Sequence, residues 1–271
     1  MKTRILAAGV LLPLLLLVVL VLPKAFTAIL FGLIAAIGAY ELLNSTGRVT
    51  QRRFTIYAMV MAFLMAMPCS LPYLSLLMKL AVFAFLCLLF AELLISRATL
   101  PFENVVITFF AGAVIPYCLT ALVRLHGYPN GRGYILLPFV IAFLSDTGAY
   151  FAGLAFGRHK LAPIISPKKT VEGLVGGVVG AIIGVIIYCV ILQKAFHFDV
   201  NYLYVPVYGI LGSLGAVFGD LSFSAVKRQT GIKDYGNLIP GHGGILDRFD
   251  SMVVVAPLVE LLMLLIPLVV K

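Results

Sequence analysis

Between Ser224 and Asp250 the chain places Ser224, Lys227 and Arg228, then Lys233 and Asp234, then His242, Gly243 and Gly244, then Asp247, Arg248 and Asp250. This window holds four of the 20 lysines and arginines and three of the 11 acids, in a chain that is otherwise mostly apolar. Cations, carboxylates and glycines gathered this way suit phosphates and metal ions. Ammonium and guanidinium groups pair with phosphate oxygens, carboxylates hold a hard cation, and glycines let backbone amides approach an anion. His242-Gly243-Gly244 predicts a tight turn into the last helix. Asp247 and Asp250, three residues apart, are expected on one face of the helix they open, where they favour Mg²⁺. Charge pairing at a helix N-terminus, with Arg248 as partner, is the plainer alternative.

Further residues upstream could join them. Read as one continuing helix, Asp220, Ser224, Lys227 and Arg228 share a face, which sets an acid for a metal beside bases for phosphates. Asp146 falls near the middle of an apolar run, in Leu144-Ser145-Asp146-Thr147-Gly148. A carboxylate there costs roughly 2.5–3.5 kcal/mol to insert, so it is expected to face a cavity or a cation rather than lipid, the plainer alternative being a neutral Asp bonded to a neighbouring helix. In Ser166-Pro167-Lys168-Lys169-Thr170-Val171-Glu172-Gly173, Thr170 is placed to cap a helix with Glu172 in its first turn. Lys168 and Lys169 ahead of that N-terminus either cradle a phosphate or serve as orientation charges. The glycines at 173, 176, 177, 180, 184, 209, 212, 215 and 219 are read as helix-packing positions, since no Walker-type sequence occurs.

The elements that must position these residues are membrane helices. The 271-residue chain is 62% hydrophobic with a mean hydropathy of +1.10, beyond the range of ordinary soluble domains. Apolar runs of about 20 residues recur, each long enough to cross a bilayer. Spans are expected at 5–22, 24–43, 54–69, 72–94, 103–123, 134–156, 171–193, 202–223 and 250–270, giving an all-α polytopic protein with about nine transmembrane helices. Lys2 and Arg4 ahead of Ile5 resemble a signal peptide, but the apolar run is long and no small-residue cleavage site follows, so an uncleaved first helix is expected. With a cytoplasmic N-terminus, 14 of the 20 basic residues fall on one side, five on the other, and Lys79 within a span. That split puts loops 157–170 and 224–249 in the cytoplasm. Residues 1–130 are expected to supply lipid-facing walls and partner contacts. Residues 131–271 are expected to hold the chemistry, since Asp146, Glu172, Asp220, Asp234, Asp247 and Asp250 all lie there.

The net charge of +9 sits in short loops, so it is read as membrane orientation and not as a nucleic-acid surface. Cys69, Cys87, Cys118 and Cys189 have no metal-ligand spacing and are read as small hydrophobes. A cation or phosphate transporter would also keep acids within spans, but it does not require the dense 224–250 loop, and no inverted repeat is visible. A scaffold without activity is disfavoured because every candidate ligand is intact.

Together, Ser224-x2-Lys227-Arg228-x4-Lys233-Asp234-x-Gly236-x2-Ile239-Pro240-x-His242-Gly243-Gly244-x2-Asp247-Arg248-x-Asp250 resembles, without departure, the signature of the phosphatidate cytidylyltransferases, or CDP-diacylglycerol synthases. Ser145-Asp146-Thr147 and Ser166 to Gly173 resemble that family's upstream blocks. The resemblance implies a homodimeric enzyme of the bacterial cytoplasmic (inner) membrane that acts on CTP and phosphatidic acid and releases pyrophosphate. It implies Mg²⁺, with a second, monovalent cation (K⁺) beside it. Carried over by motif, Asp220 and Asp247 are the metal ligands, and Lys168, Lys169, Lys227, Arg228, Lys233 and Arg248 contact phosphates. Asp250 and His242 complete the catalytic set, His242 as a donor to a phosphate. Asp146, Thr170, Glu172, Ser224, Asp234, Gly243 and Gly244 line the substrate site. The CDP-alcohol phosphotransferases, a different lipid family, need an Asp-Gly dipeptide, and this chain has none.

Overall fold

Pro23, which has no N–H to leave unpaired, precedes the first long helix, α1 (Lys24–Thr46), and Gly47 ends it in the left-handed conformation at φ +63°. The computed structural model describes residues 9, 13–68, 75–97, 99–238 and 243–269. His242, Cys69 and most of the expected first span lie outside them. The chain forms two compact units, Met1–Gly127 with Thr230–Phe249, and Tyr128–Gln229 with Asp250–Lys271.

In the first unit α1 is followed by α2 (Arg52–Ala66), α3 (Ser75–Ile95), α4 (Phe102–Phe109), α5 (Ile115–Leu119), α6 (Ala121–Gly127) and the short α10 (Leu246–Phe249). Gly32 brings α1 close to α2: a Cβ there would sit 3.1 Å from the Phe63 ring and 3.2 Å from Ala66. Pro116 has no N–H to return to the carbonyl four residues earlier, and the ladder between α4 and α5 widens into a π turn over Phe110–Val114. Glu92, buried in an apolar helix, is satisfied by Arg53 (Nη1 to Oε2, 2.9 Å) and by the Tyr57 hydroxyl (3.0 Å to Oε1).

The second unit holds α7 (Leu137–Phe156), β1 (Lys160–Ala162), β2 (Ser166–Thr170), α8 (Val171–Phe196), α9 (Val205–Gln229) and α11 (Met252–Leu265). Its helices meet through glycines, as expected. A Cβ on Gly180 would lie 2.5 Å from the Leu144 carbonyl, one on Gly209 2.5 Å from Ile182, and one on Gly212 2.7 Å from Ile141. The all-α expectation needs one correction, because loop 157–170 contains a two-stranded antiparallel hairpin that pairs Lys160 with Thr170 and Ala162 with Ser166.

Among the described residues six helices are long and apolar enough to cross a membrane: Lys24–Thr46, Leu76–Ile95, Phe102–Gly127, Gly131–Phe156, Val171–Phe196 and Tyr202–Gln229. Shorter helices, α2 and α11, stand where two further spans are expected. The protein is mostly helical and polytopic.

Candidate active site

Thr170 is the N-cap of α8, its hydroxyl accepting from Gly173 N at 3.1 Å, so the expected cap is formed. Glu172 in that first turn is engaged locally. Its carboxylate accepts from Arg158 N (3.1 Å) and His159 N (3.2 Å) and pairs with His159 Nδ1 (2.6 Å). This clasp fastens the root of the hairpin to the helix. Strand alternation then leaves Lys168 exposed and turns Lys169 inward, where Nζ meets Asp220 Oδ2 at 2.5 Å.

Asp220 sits two-thirds of the way along α9, which continues past the expected span end at 223 and stops only at Gln229. Ser224, one turn on, donates to Asp220 Oδ1 at 3.1 Å, and Lys227 is buried on the same helix face. Arg228 is exposed and donates from Nε to the Ile165 carbonyl at 3.3 Å, which fastens the end of α9 to the hairpin. Asp146 on α7 is exposed and lies within electrostatic range of Asp220 and, more weakly, of Lys169. Its neighbour Ser145 is fully buried against Ser213 on α9 at 2.7 Å, a polar tie that sequence reasoning did not single out.

Asp250 departs from expectation. The helix that it and Asp247 were to share is interrupted: α10 ends at Phe249 and α11 begins at Met252, leaving Asp250 in the turn between. There it is buried and accepts from Ser251 N at 2.7 Å. It lies within electrostatic range of the Asp220 carboxylate and of Lys227. The turn forms where its main chain closes on α9. A Cβ on Gly219 would lie 2.9 Å from the Asp250 carbonyl and 3.0 Å from Ser251 Cα.

The other predicted residues lie in the first unit. Gly243 takes φ +86°, which supports the expected tight turn, and Gly244 is buried. Asp247 Oδ2 accepts from Gly244 N (3.0 Å) and Tyr235 N (2.8 Å), so its carboxylate ties Tyr235 to the entrance of α10. Lys233, Asp234 and Arg248 are exposed. A second carboxylate joins this turn from a helix that sequence reasoning assigns to the lipid-facing half: Glu41 of α1, only 4% exposed, accepts from Ile245 N and Leu246 N. Its one sequence signal is an acid within an apolar span.

Residues 2–266 match the model of the cytidylyltransferase family. The chain belongs to that family. It is 36% identical over 189 residues to the phosphatidate cytidylyltransferase of Bacillus subtilis (strain 168), covering 69% of this chain and 68% of the relative. It is 41% identical over 135 residues to the protein of that name from Staphylococcus haemolyticus (strain JCSC1435), and 44% over 140 residues to that of Staphylococcus aureus (strain COL). In each of these two comparisons the match spans 50% of both chains. The family match covers residues of both units, Glu41 and Asp220 among them.

Proposed function

We propose that the protein transfers the cytidylyl group of CTP to phosphatidic acid, giving CDP-diacylglycerol and pyrophosphate. The observation that carries this is the complete 224–250 motif in a membrane chain of the cytidylyltransferase family, whose relatives bear the name phosphatidate cytidylyltransferase. In the reaction a phosphate oxygen of the lipid attacks the α-phosphorus of CTP. The new O–P bond forms as the bond to the β-phosphate oxygen breaks, and pyrophosphate leaves with that electron pair. The lipid phosphate is already ionised near neutral pH, so the attack needs no strong general base. Its obstacle is the mutual repulsion of two anions, and catalysis rests on positioning and on charge supplied by the protein.

Lys168, Lys169, Lys227, Arg228, Lys233 and Arg248 are the proposed phosphate contacts, and His242 a donor. Lys169 and Lys227 are held in place by Asp220 and by packing, whereas Lys168 and Lys233 are exposed and able to reach a substrate. The proposed cation is Mg²⁺ on Asp220 and Asp247, with K⁺ as the second. Charge supports this: Asp220 lies within range of Asp146 and Asp250, a surplus of negative charge that a cation would relieve. Among the described residues no three acids, histidines or cysteines form a ready cage. Mg²⁺ suits such a site, because it binds through one or two carboxylates and completes its shell with water and substrate phosphates. When bound, it would neutralise charge developing on the transferred phosphoryl oxygens.

The finer reading has nine spans, a cytoplasmic N-terminus, a homodimer in the inner membrane, and chemistry at the cytoplasmic edge where acyl chains remain in lipid. The acids and bases at 131–271 carry the reaction, and residues 1–130 provide walls and partner contacts. The deciding experiment supplies purified protein in detergent with phosphatidic acid and radiolabelled CTP, with and without Mg²⁺. Mg²⁺-dependent entry of label into the organic phase is expected. Folded protein that labels no lipid acceptor would overturn the proposal.

A further inference from the structure

Glu41 is the most completely enclosed carboxylate among the described residues, and the reaction chemistry makes no use of it. It lies near the C-terminal end of α1, 4% exposed, and both its oxygens are engaged by main chain 204 and 205 residues away. Oε1 accepts from Ile245 N at 2.9 Å and Oε2 from Leu246 N at 2.8 Å, so one carboxylate spans two successive amides at the entrance to α10. The surroundings are shaped to admit it. A Cβ on Gly236 would lie 2.5 Å from Oε1, and one on Gly244 2.5 Å from Oε2. Either glycine replaced by any other residue would strike the carboxylate.

The next turn of the same segment carries Asp247, whose Oδ2 binds Tyr235 N and Gly244 N. Four amides, at 235, 244, 245 and 246, are thus divided between two carboxylates, one from within the segment and one from a distant helix. An acid buried in an apolar helix is costly unless fully hydrogen-bonded, and among the described residues this carboxylate is bonded only to the segment that presents Gly243, Gly244 and Asp247. We infer that Glu41 is a positioning residue for the proposed reaction: its carboxylate fixes the Gly243–Asp247 turn and so sets the direction of the Asp247 carboxylate. This inference rests on the reading that Asp247 takes part in the reaction.

Glu41→Gln tests it. The amide oxygen can still accept from one main-chain N–H, but its NH2 group would face the other donor to donor, so the turn loosens without an added cavity. With radiolabelled CTP and phosphatidic acid, kcat per folded enzyme should fall about 10- to 100-fold, the order seen when a catalytic group is misplaced by a small distance. The Mg²⁺ concentration for half-maximal activity should rise, and KM for the lipid should stay within about twofold. Hydrogen exchange read by mass spectrometry should show faster exchange at Ile245 and Leu246. A purely structural Glu41 would lower thermal stability and leave kcat and Mg²⁺ dependence of the folded fraction unchanged, which would overturn the inference. Should Glu41→Gln fail to fold, Gly236→Ala displaces the same carboxylate from its other side. That variant must then show the same kcat loss and Mg²⁺ shift, and wild-type values would sink the idea. Asp247→Asn, run in parallel, separates the two readings. Full activity there removes Asp247 from the reaction, whereas an inactive Asp247→Asn beside a fully active Glu41→Gln defeats only the positioning role.

Discussion

Lys169 Nζ lies 2.5 Å from Asp220 Oδ2, joining the hairpin strand ahead of α8 to the interior of α9. Both side chains are only partly accessible, 23% and 31%, so the pair is stronger than an exposed one and weaker than a dry one. In the proposed reaction a phosphate would compete with Asp220 for Lys169, and a cation would compete with Lys169 for Asp220. The pair is therefore a resting arrangement that substrate and metal can replace together. Asp220→Asn is expected to lower turnover by about 100-fold or more. For stability, Lys169→Met and Asp220→Asn should be less than additive in combination, with a coupling of about 0.5–3 kcal/mol by thermal unfolding in detergent. Strict additivity would show that the two groups do not interact in solution.

Asp247 has two duties that substitution can separate. Its Oδ2 satisfies the amides of Tyr235 and Gly244, and its charge is the proposed cation ligand. Asp247→Asn keeps an acceptor oxygen and removes the charge, so expression and unfolding temperature should stay near wild type while turnover is abolished. Asp247→Ala removes both and should also cost about 1–3 kcal/mol for the orphaned amides. Activity assays and unfolding curves on both variants check this. Full turnover in Asp247→Asn would take Asp247 out of the cation site.

The features legible in the sequence are those with a local period. The Thr170 cap follows from a hydroxyl residue directly ahead of a long apolar run with Glu172 in its first turn, and the Asp220–Ser224–Lys227 face from helical periodicity. The break between Phe249 and Met252 is not legible, because Asp250 and Ser251 read equally well as the polar first turn of a continuous helix. Its cause is the close approach of Asp250 and Ser251 main chain to Gly219, 31 residues or more away. The three- and five-residue strands are too short to leave a pattern and exist only through pairing with each other. Glu41 announces itself as an acid in an apolar run, but its partners lie at the far end of the chain, and only the fold brings them together.

The glycine contacts between α7 and α8 give a stability prediction with its own control. A Cβ on Gly176 would overlap Ala152, and one on Gly148 would press on the Gly176 carbonyl, so neither helix can yield without separating. Gly176→Ala should destabilise by about 1–3 kcal/mol or more, through overpacking. Gly38 in α1 is the contrast: a Cβ there would make ordinary contact with Leu246 at 3.6 Å. Gly38→Ala should be neutral or gain up to about 1 kcal/mol from reduced freedom of the unfolded chain. Melting in detergent reads both, and equal effects at the two sites would refute packing as the role of Gly176.

Lys233 separates substrate binding from membrane orientation. It is exposed in the segment between α9 and α10, so Lys233→Ala should change stability by no more than about 0.5 kcal/mol. If its ammonium meets a phosphate, KM for CTP or for phosphatidic acid should rise several-fold with kcat little changed. An exposed charge acts through solvent and is screened within about 10 Å at 0.1 M salt. The difference from wild type should therefore shrink as salt is raised from 0.05 to roughly 0.5 M. Steady-state kinetics at both ionic strengths decide the matter, since unaltered KM values for both substrates at low salt would reassign Lys233 to the charge pattern that orients the chain.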